Sequence, residues 1–370
     1  MAAPVRKTRV LIVDDSAIVR RMLSNALQHE PDIEVVGLAS DPFVARDLIL
    51  QHKPDVLTLD IEMPKMDGLT FLRKLMVHRP MPVIIVSSVT QEGSAASFDA
   101  LNAGAVDVIA KPGGPYSVGD IADKLKYRIR AVRSGRVRFS RMRAHAGPMP
   151  RPVSLTHANG LILVGASTGG TRAIETLLTR MPADTPPILI VQHMPAHFTK
   201  VFAQRLDSVC PMSVVEASDA QPLKRGIAYI APGDFHLQVV AHGFELQSSL
   251  NAGAPIHYQR PAVDALFKSA ASLNGVQIVA LLLTGMGSDG ADGMVALREA
   301  GAVTIAEAEQ SCVVFGMPAE AIARGGAMHV ATLFAMPQLI SDSFVTRRGV
   351  RAPDPSDQTT PPSARPRREA

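Results

Sequence analysis

Tryptophan is absent from the 370 residues, and aromatic side chains make up only 4% of them. Any core must therefore be aliphatic, built from Val, Ile, Leu, Ala and Met. No apolar run approaches the ~20 residues that a bilayer-spanning helix needs, which argues against membrane insertion. Cysteine is confined to Cys210 and Cys312, in unrelated contexts. That excludes a disulfide framework and fits a reducing cytoplasm. The opening Met1-Ala-Ala-Pro-Val-Arg-Lys has no apolar signal region and runs into a strand-like stretch at Val10, so a cytoplasmic location is expected. Charged residues amount to 19% against 46% hydrophobic, a globular rather than a disordered balance.

Acidic residues are missing from one segment. Between Lys126 and Arg151 there are nine Lys/Arg and no Asp/Glu, and from Arg347 onward there are six basic residues against three acidic. The net charge of +4 thus comes from these two stretches, and the rest of the chain is net acidic. That distribution argues against a folded nucleic-acid-binding surface.

What is present is a double alternation of short apolar runs with longer amphipathic ones, on a chain long enough for two domains. The first set of runs is Val10–Val13, Ile33–Leu38, Val56–Leu59, Val83–Val86 and Val106–Ile109. Helical stretches such as Ala17–Gln28, Val44–Gln51, Leu69–Val77 and Ser94–Asn102 lie between them. The second set is Leu161–Val164, Ile188–Val191, Ile227–Ile230, Val276–Leu283 and Val303–Ala306. Helices are expected there at 171–181, 198–208, 262–273, 291–300 and 332–345, with a hairpin over His236–Gln247 turning at 241–243. The fold class is α/β: two doubly wound domains, a five-stranded parallel one over 8–133 and a larger Rossmann-like one over 160–346. Residues 134–159, rich in Arg, Pro, Gly and Ala, read as a flexible basic linker, and 347–370 as a disordered tail.

Strand ends carry the chemistry. In the first domain Asp14-Asp15, Asp60 and Lys111-Pro112 close strands one, three and five, at the edge where open α/β sheets place their sites. Converging carboxylates repel unless a cation sits between them, and oxygen-only ligation suits Mg²⁺. Lys111 can balance a phosphoryl group, and Ser87 on strand four can hydrogen-bond to it. Asp14 and Asp15 taken alone are equally well read as helix caps. With Asp60 followed by Ile-Glu-Met-Pro, then Asp67-Gly68, Ser87 and Lys111-Pro112, residues 8–133 resemble the receiver domain of two-component response regulators. The resemblance implies phosphorylation of Asp60, with Mg²⁺ held by Asp15, Asp60 and the Glu62 carbonyl, and Asp14 close by. One position departs: Val108 stands where such domains usually carry Phe or Tyr.

In the second domain Gly165-Ala166-Ser167-Thr168-Gly169-Gly170 follows a strand and precedes a helix. That spacing suits a nucleophile elbow, although glycine-rich turns also cradle phosphates. The next strand runs into Gln192-His193-Met194-Pro195, which puts His193 at the edge expected for Ser167, unlike His197, His236 and His257. A third strand runs into Thr284-Gly285-Met286-Gly287-Ser288-Asp289-Gly290. Asp289 suits the acid that orients an imidazole; Asp264 and Asp292 are its rivals, and a helix cap is its bland alternative. Glycines there let backbone N–H groups approach a reacting oxygen.

The chain order Ser…His…Asp, with AYIAPGD at 228–234 and SCVVFGMP at 311–318, resembles the bacterial chemotaxis protein-glutamate methylesterases over 160–345. Ala262 departs from the serine usual in that family. The resemblance implies hydrolysis of glutamate methyl esters on chemoreceptors, and deamidation of receptor glutamines, through Ser167, His193 and Asp289. It also implies an oxyanion contact from the Met286 amide, no cofactor for the esterase step, and a chemotaxis histidine kinase as phosphodonor. The rival class is a non-catalytic signalling module; a DNA-binding regulator fits less well, since no basic helix-turn-helix follows the first domain.

Overall fold

The computed structural model describes residues 6–87, 91–111, 118–131, 154–156, 158, 160–196, 198–243 and 245–346. Pro112, most of the expected linker and all of the expected tail lie outside the described residues.

The first sheet comprises β1 (Thr8–Val13), β2 (Ile33–Ala39), β3 (Val56–Leu59), β4 (Val83–Ser87) and β5 (Asp107–Ala110). They run parallel in the order β2-β1-β3-β4-β5. Every residue of β3 and β4 is buried, which is why those strands are unbroken apolar runs rather than alternating ones. The crossovers are α1 (Ala17–Leu27), α2 (Pro42–His52), α3 (Gly68–His78) and α4 (Gln91–Ala103), with α5 (Val118–Ala131) last. Asp41 accepts from the Phe43 and Val44 amides and Pro42 opens α2, a start signal written in the sequence.

The second sheet has seven parallel strands: β6 (Leu161–Ala166), β7 (Ile188–Gln192), β8 (Ser213–Glu216), β9 (Ile227–Ile230), β12 (Ile278–Leu282), β13 (Val303–Glu307) and β14 (His329–Ala331). Their order is β14-β13-β12-β6-β7-β9-β8. A separate antiparallel hairpin, β10 (His236–His242) and β11 (Glu245–Asn251), stands beside it. The helices are α6 (Gly170–Leu178), α7 (Phe198–Val209), α8 (Val263–Ala271), α9 (Ala291–Glu299), α10 (Met317–Ala323) and α11 (Met336–Thr346).

The expectations need four corrections. β8 and β14 were not foreseen; both are short, half-exposed edge strands with too few apolar residues to show a period. α10 is a seven-residue helix also absent from the sequence reading. The helix expected from 332 begins at Met336, because Pro337 belongs in a first helical turn and not in an interior. The hairpin turns one step later than expected, after the pair His242↔Glu245, where Gly243 supplies a φ of +62°.

The two sheets are joined by packing as well as by chain. Phe98 of α4 stacks on Phe202 of α7, centroids 5.5 Å apart, and tilts against Phe198. One apolar cluster runs continuously from the first sheet into the second through these rings.

Candidate active site

Ser167, His193 and Asp289 stand at neighbouring strand ends: Ser167 and His193 line one small cavity and His193 bonds Asp289, while His193 Nδ1 makes no hydrogen bond among the described residues and the Ser167 hydroxyl accepts from Arg128. β6 lies between β12 and β7, so the chain turns back across the sheet at β6 and opens a crevice at the carboxyl ends of these strands. Ser167 follows β6, His193 follows β7, and Asp289 lies beyond β12. All three are buried.

The Ser167 turn is tight. Gly169 adopts a φ of +79° at the start of α6, and a Cβ there would lie 2.5 Å from Val313 Cβ, so only glycine fits. A Cβ on Gly285 would likewise lie 2.8 Å from Ser167 Cβ. The Ser167 amide donates to the Thr284 carbonyl (3.0 Å), and the Thr284 hydroxyl donates to the Thr168 carbonyl (3.0 Å).

Between His193 Nε2 and Asp289 Oδ2 the distance is 2.7 Å. A carboxylate can only accept, so Nε2 carries the hydrogen and Nδ1 keeps its lone pair. Asp289 also accepts from the Val263 and Asp264 amides (2.7 and 2.9 Å). Burial pushes its carboxyl up, but the hydrogen bond and charge of His193 and the two amides outweigh that and hold it below the ordinary range. The rival acids are engaged elsewhere. Asp264 accepts from the Gly293 amide and lies 3.3 Å from His257, and Asp292 pairs with Arg324. Among the other histidines, His236 bonds the Ala262 amide and the Ala254 carbonyl, a satisfied structural role. Ala262, at the start of α8, offers no side-chain cap.

The Met286 turn is fixed from two sides. The Gly285 amide donates to the Val314 carbonyl, and the Gly285 carbonyl accepts from Gly316 and Met317. From the first sheet's side, the Tyr127 hydroxyl lies 3.4 Å from the Met286 carbonyl.

That last contact belongs to a docking of the first domain over the crevice whose contact residues carry no signal in the sequence: α5 and the start of β5 lie there. Arg128 Nη1 donates to the hydroxyl oxygens of Ser167 and Thr168, both at 3.3 Å, while its Nε pairs with Asp107 at 2.9 Å. Thr168 in turn donates to Asp107 (3.0 Å). Val108 faces the His193–Pro195 segment. The space left over Ser167 is about 20 Å³, room for a water or two and no more.

The second acidic constellation is at the carboxyl edge of the first sheet. Asp14, Asp15 and Asp60 each bring a carboxylate oxygen within 4.8 Å of the others; Asp14 and Asp60 are buried and Asp15 is exposed. Lys111 Nζ lies 2.6 Å from Asp60 Oδ2 and 3.2 Å from Asp14 Oδ2. Burial raises the Asp60 carboxyl to about 6 despite Lys111, with Asp14 adding to the rise. The Glu62 amide donates to Asp60 Oδ1 (3.2 Å), and Ser87 is buried at the end of β4. A carboxylate set of this kind, hard oxygens from two buried acids and one exposed one, fits Mg²⁺.

A residue with no role in the sequence-based expectations lies behind the Ser167 turn. Glu307 ends β13, is fully buried, and accepts from the Thr284 amide at 2.8 Å. A lone acid closing the apolar run Val303–Ala306 was the available signal.

Comparison with known proteins gives two family matches: "CheB methylesterase" over residues 162–340 and "Response regulator receiver domain" over 10–122. The chain is 51% identical to protein-glutamate methylesterase/protein-glutamine glutaminase 2 of Syntrophus aciditrophicus, over 86% of this chain and 94% of that protein. It is 49% identical to protein-glutamate methylesterase/protein-glutamine glutaminase 1 of Cupriavidus metallidurans, over 92% and 97%. Among solved structures, the Thermotoga maritima CheB methylesterase catalytic domain matches with 39% identity and a TM-score of 0.49, covering 50% of this chain and 98% of that one.

Proposed function

The chain belongs to the protein-glutamate methylesterase/protein-glutamine glutaminase family, and from that premise we infer that its second sheet carries a Ser/His/Asp hydrolase acting on chemoreceptor side chains. The observation that carries the reading is the His193–Asp289 hydrogen bond of 2.7 Å, made beside Ser167 at three adjacent strand ends.

His193 Nδ1 takes the proton from the Ser167 hydroxyl as Oγ attacks the ester carbonyl of a methylated glutamate. Asp289 stabilises the imidazolium through Nε2–H. The Met286 amide donates to the oxyanion as it forms. The tetrahedral species collapses, the imidazolium gives its proton to the departing methoxide, and methanol leaves. Water, deprotonated by the same Nδ1, then releases glutamate from Ser167. A glutamine side chain follows the same path with ammonia as leaving group.

The first sheet is the receiver that governs this site. Mg²⁺, held by Asp15, Asp60 and the Glu62 carbonyl with Asp14 close by, would screen the carboxylates there. Asp60 is the phosphoryl acceptor, a chemotaxis histidine kinase the donor, and Ser87 and Lys111 bind the phosphoryl oxygens. Arg128 on the Ser167 hydroxyl supports the view that the docked receiver withholds the nucleophile, and that phosphorylation shifts the balance toward undocking.

The test is Ser167→Ala in the full chain, assayed by methanol release from methyl-esterified receptors with a phosphodonor and Mg²⁺. The expected loss is on the order of 10⁴-fold or more. Turnover near that of the unmodified chain by a well-folded variant rejects the reading.

A further inference from the structure

Pairing between β12 and β13 ends at Leu282↔Ala306, and the next residue of β13, Glu307, pairs its backbone with Ala331 on β14. The two strands part at the point where β12 must deliver the Thr284–Met286 turn to the active site. The Glu307 side chain closes the gap, with Oε2 accepting from the Thr284 amide.

Thr284 is a junction. Its amide goes to Glu307, its carbonyl accepts from the Ser167 amide, its hydroxyl donates to the Thr168 carbonyl, and that same oxygen accepts from the Val314 amide. Two of these bonds hold the nucleophile turn. The Val314 bond holds the segment that covers Gly285, and the Glu307 bond ties the junction to the sheet behind it. We propose that Glu307 is a positioning residue of the esterase, setting the depth of Thr284 and through it the placement of Ser167 and the Met286 amide.

The side chain is suited to that task only as a neutral group. Oε1 makes no hydrogen bond of ordinary geometry among the described residues, and its polar neighbours are Ser311 and Cys312. The Ser311 hydroxyl donates to the Ala308 carbonyl and the Cys312 thiol to the Glu307 carbonyl, so both offer lone pairs. Burial raises the carboxyl to about 7, against smaller opposing contributions from the Thr284 amide, Ser311 and Cys312. Cys312 is itself held protonated, by burial first of all. β6 and β12 bring only apolar side chains, and His329 on β14 is exposed. On α9 and α10, Asp292, Glu320 and Arg324 pair among themselves, and Arg298 bonds the Gly325 carbonyl. Among the described residues no cation pairs with Glu307, and an ionised Glu307 behind the Met286 turn would oppose a developing oxyanion.

The proposal rests on the esterase reading of Ser167, and its test separates the two. Full-length Glu307→Gln and Glu307→Met are compared with the unmodified chain, all with phosphodonor and Mg²⁺. Two readouts are taken: methyl-ester hydrolysis, and labelling of Ser167 by a fluorophosphonate, which needs an activated serine but no receptor. Glu307→Met is expected to lose roughly 10²-fold in kcat and in labelling rate, with KM within about threefold. Glu307→Gln, whose carbonyl accepts the same amide, should stay within about threefold of the unmodified chain. Glu307→Met working at the unmodified rate overturns the proposal. If Glu307→Met does not fold, the kcat ratio of Glu307→Gln to the unmodified chain decides: a ratio rising between about pH 6 and pH 9 supports the neutral positioning role, and a flat one overturns it. Failure of the unmodified chain to release methanol while its Ser167 is labelled normally would refute the substrate and leave Glu307 to be judged on labelling.

Discussion

Arg128→Ala removes the contact through which the receiver touches the Ser167 hydroxyl, and its effect can be sized. The side chain is 11% exposed, so its bonds are made largely out of water. The two Nη1 bonds cross the interface at 3.3 Å, long for a charge-assisted pair. At about 1 kcal/mol each, the value of an ordinary hydrogen bond and below the range for well-formed charge-assisted ones, their loss weakens docking by about 2 kcal/mol. That corresponds to roughly 30-fold in the docking equilibrium. It is a floor, because Asp107, with a side chain only 13% exposed, is left without its cation beside Thr168. Basal methanol release by the unphosphorylated chain should rise by at least that factor, unless undocking saturates first. The ceiling is set by the unmodified chain under phosphodonor and Mg²⁺. Asp60→Ala with an intact Arg128 should stay at the low basal rate under the same treatment. An Arg128→Ala chain whose basal rate is unchanged, while phosphodonor still accelerates it, would refute the contact as a restraint.

Asp289→Asn should lower kcat severely but less than Ser167→Ala, because the amide can donate to Nε2 and mis-set the tautomer while leaving the nucleophile in place. A mild Asp289→Asn beside a crippling Asp264→Asn would reassign the acid. Stability should depend on pH through Glu307, with a sign that follows from burial. Its folded pKa of about 7 lies above the ordinary 4.5, so the folded chain holds a proton that the unfolded chain gives up. This contribution is intact below about pH 4.5 and is lost as pH rises through about 7, at a cost of about 3 kcal/mol. Glu307→Gln should therefore melt near the unmodified chain at about pH 5 and clearly above it at about pH 8; parallel melting curves at both would contradict the raised carboxyl.

Much of this protein is legible in the chain itself. Parallel strands buried on both faces must be continuous apolar runs, so Val10–Val13, Val83–Val86 and Leu161–Val164 announce themselves. Parallel sheets collect their functional groups at carboxyl ends, so Asp60, Lys111, Ser167 and His193 could be picked out by position along the sequence alone. Asp289 is preferred over Asp264 and Asp292 through the family resemblance, because all three lie near helix starts and a cap and an orienting acid look alike in sequence. The structure sets Asp289, and not those two, against His193. The edge strands β8 and β14 escaped because a strand of three or four half-exposed residues has no period to read. What only the tertiary structure decided is what meets across sequence distance. Arg128 sits in a basic helix face like its neighbours until the two sheets pack and set it on Ser167, 39 positions away. Glu307 is one acid among many until β12 and β13 part and leave its carboxyl as the link to Thr284. Local pattern fixes elements because backbone hydrogen bonding and burial are periodic; side-chain meetings between elements carry no period, and only the packed chain determines them.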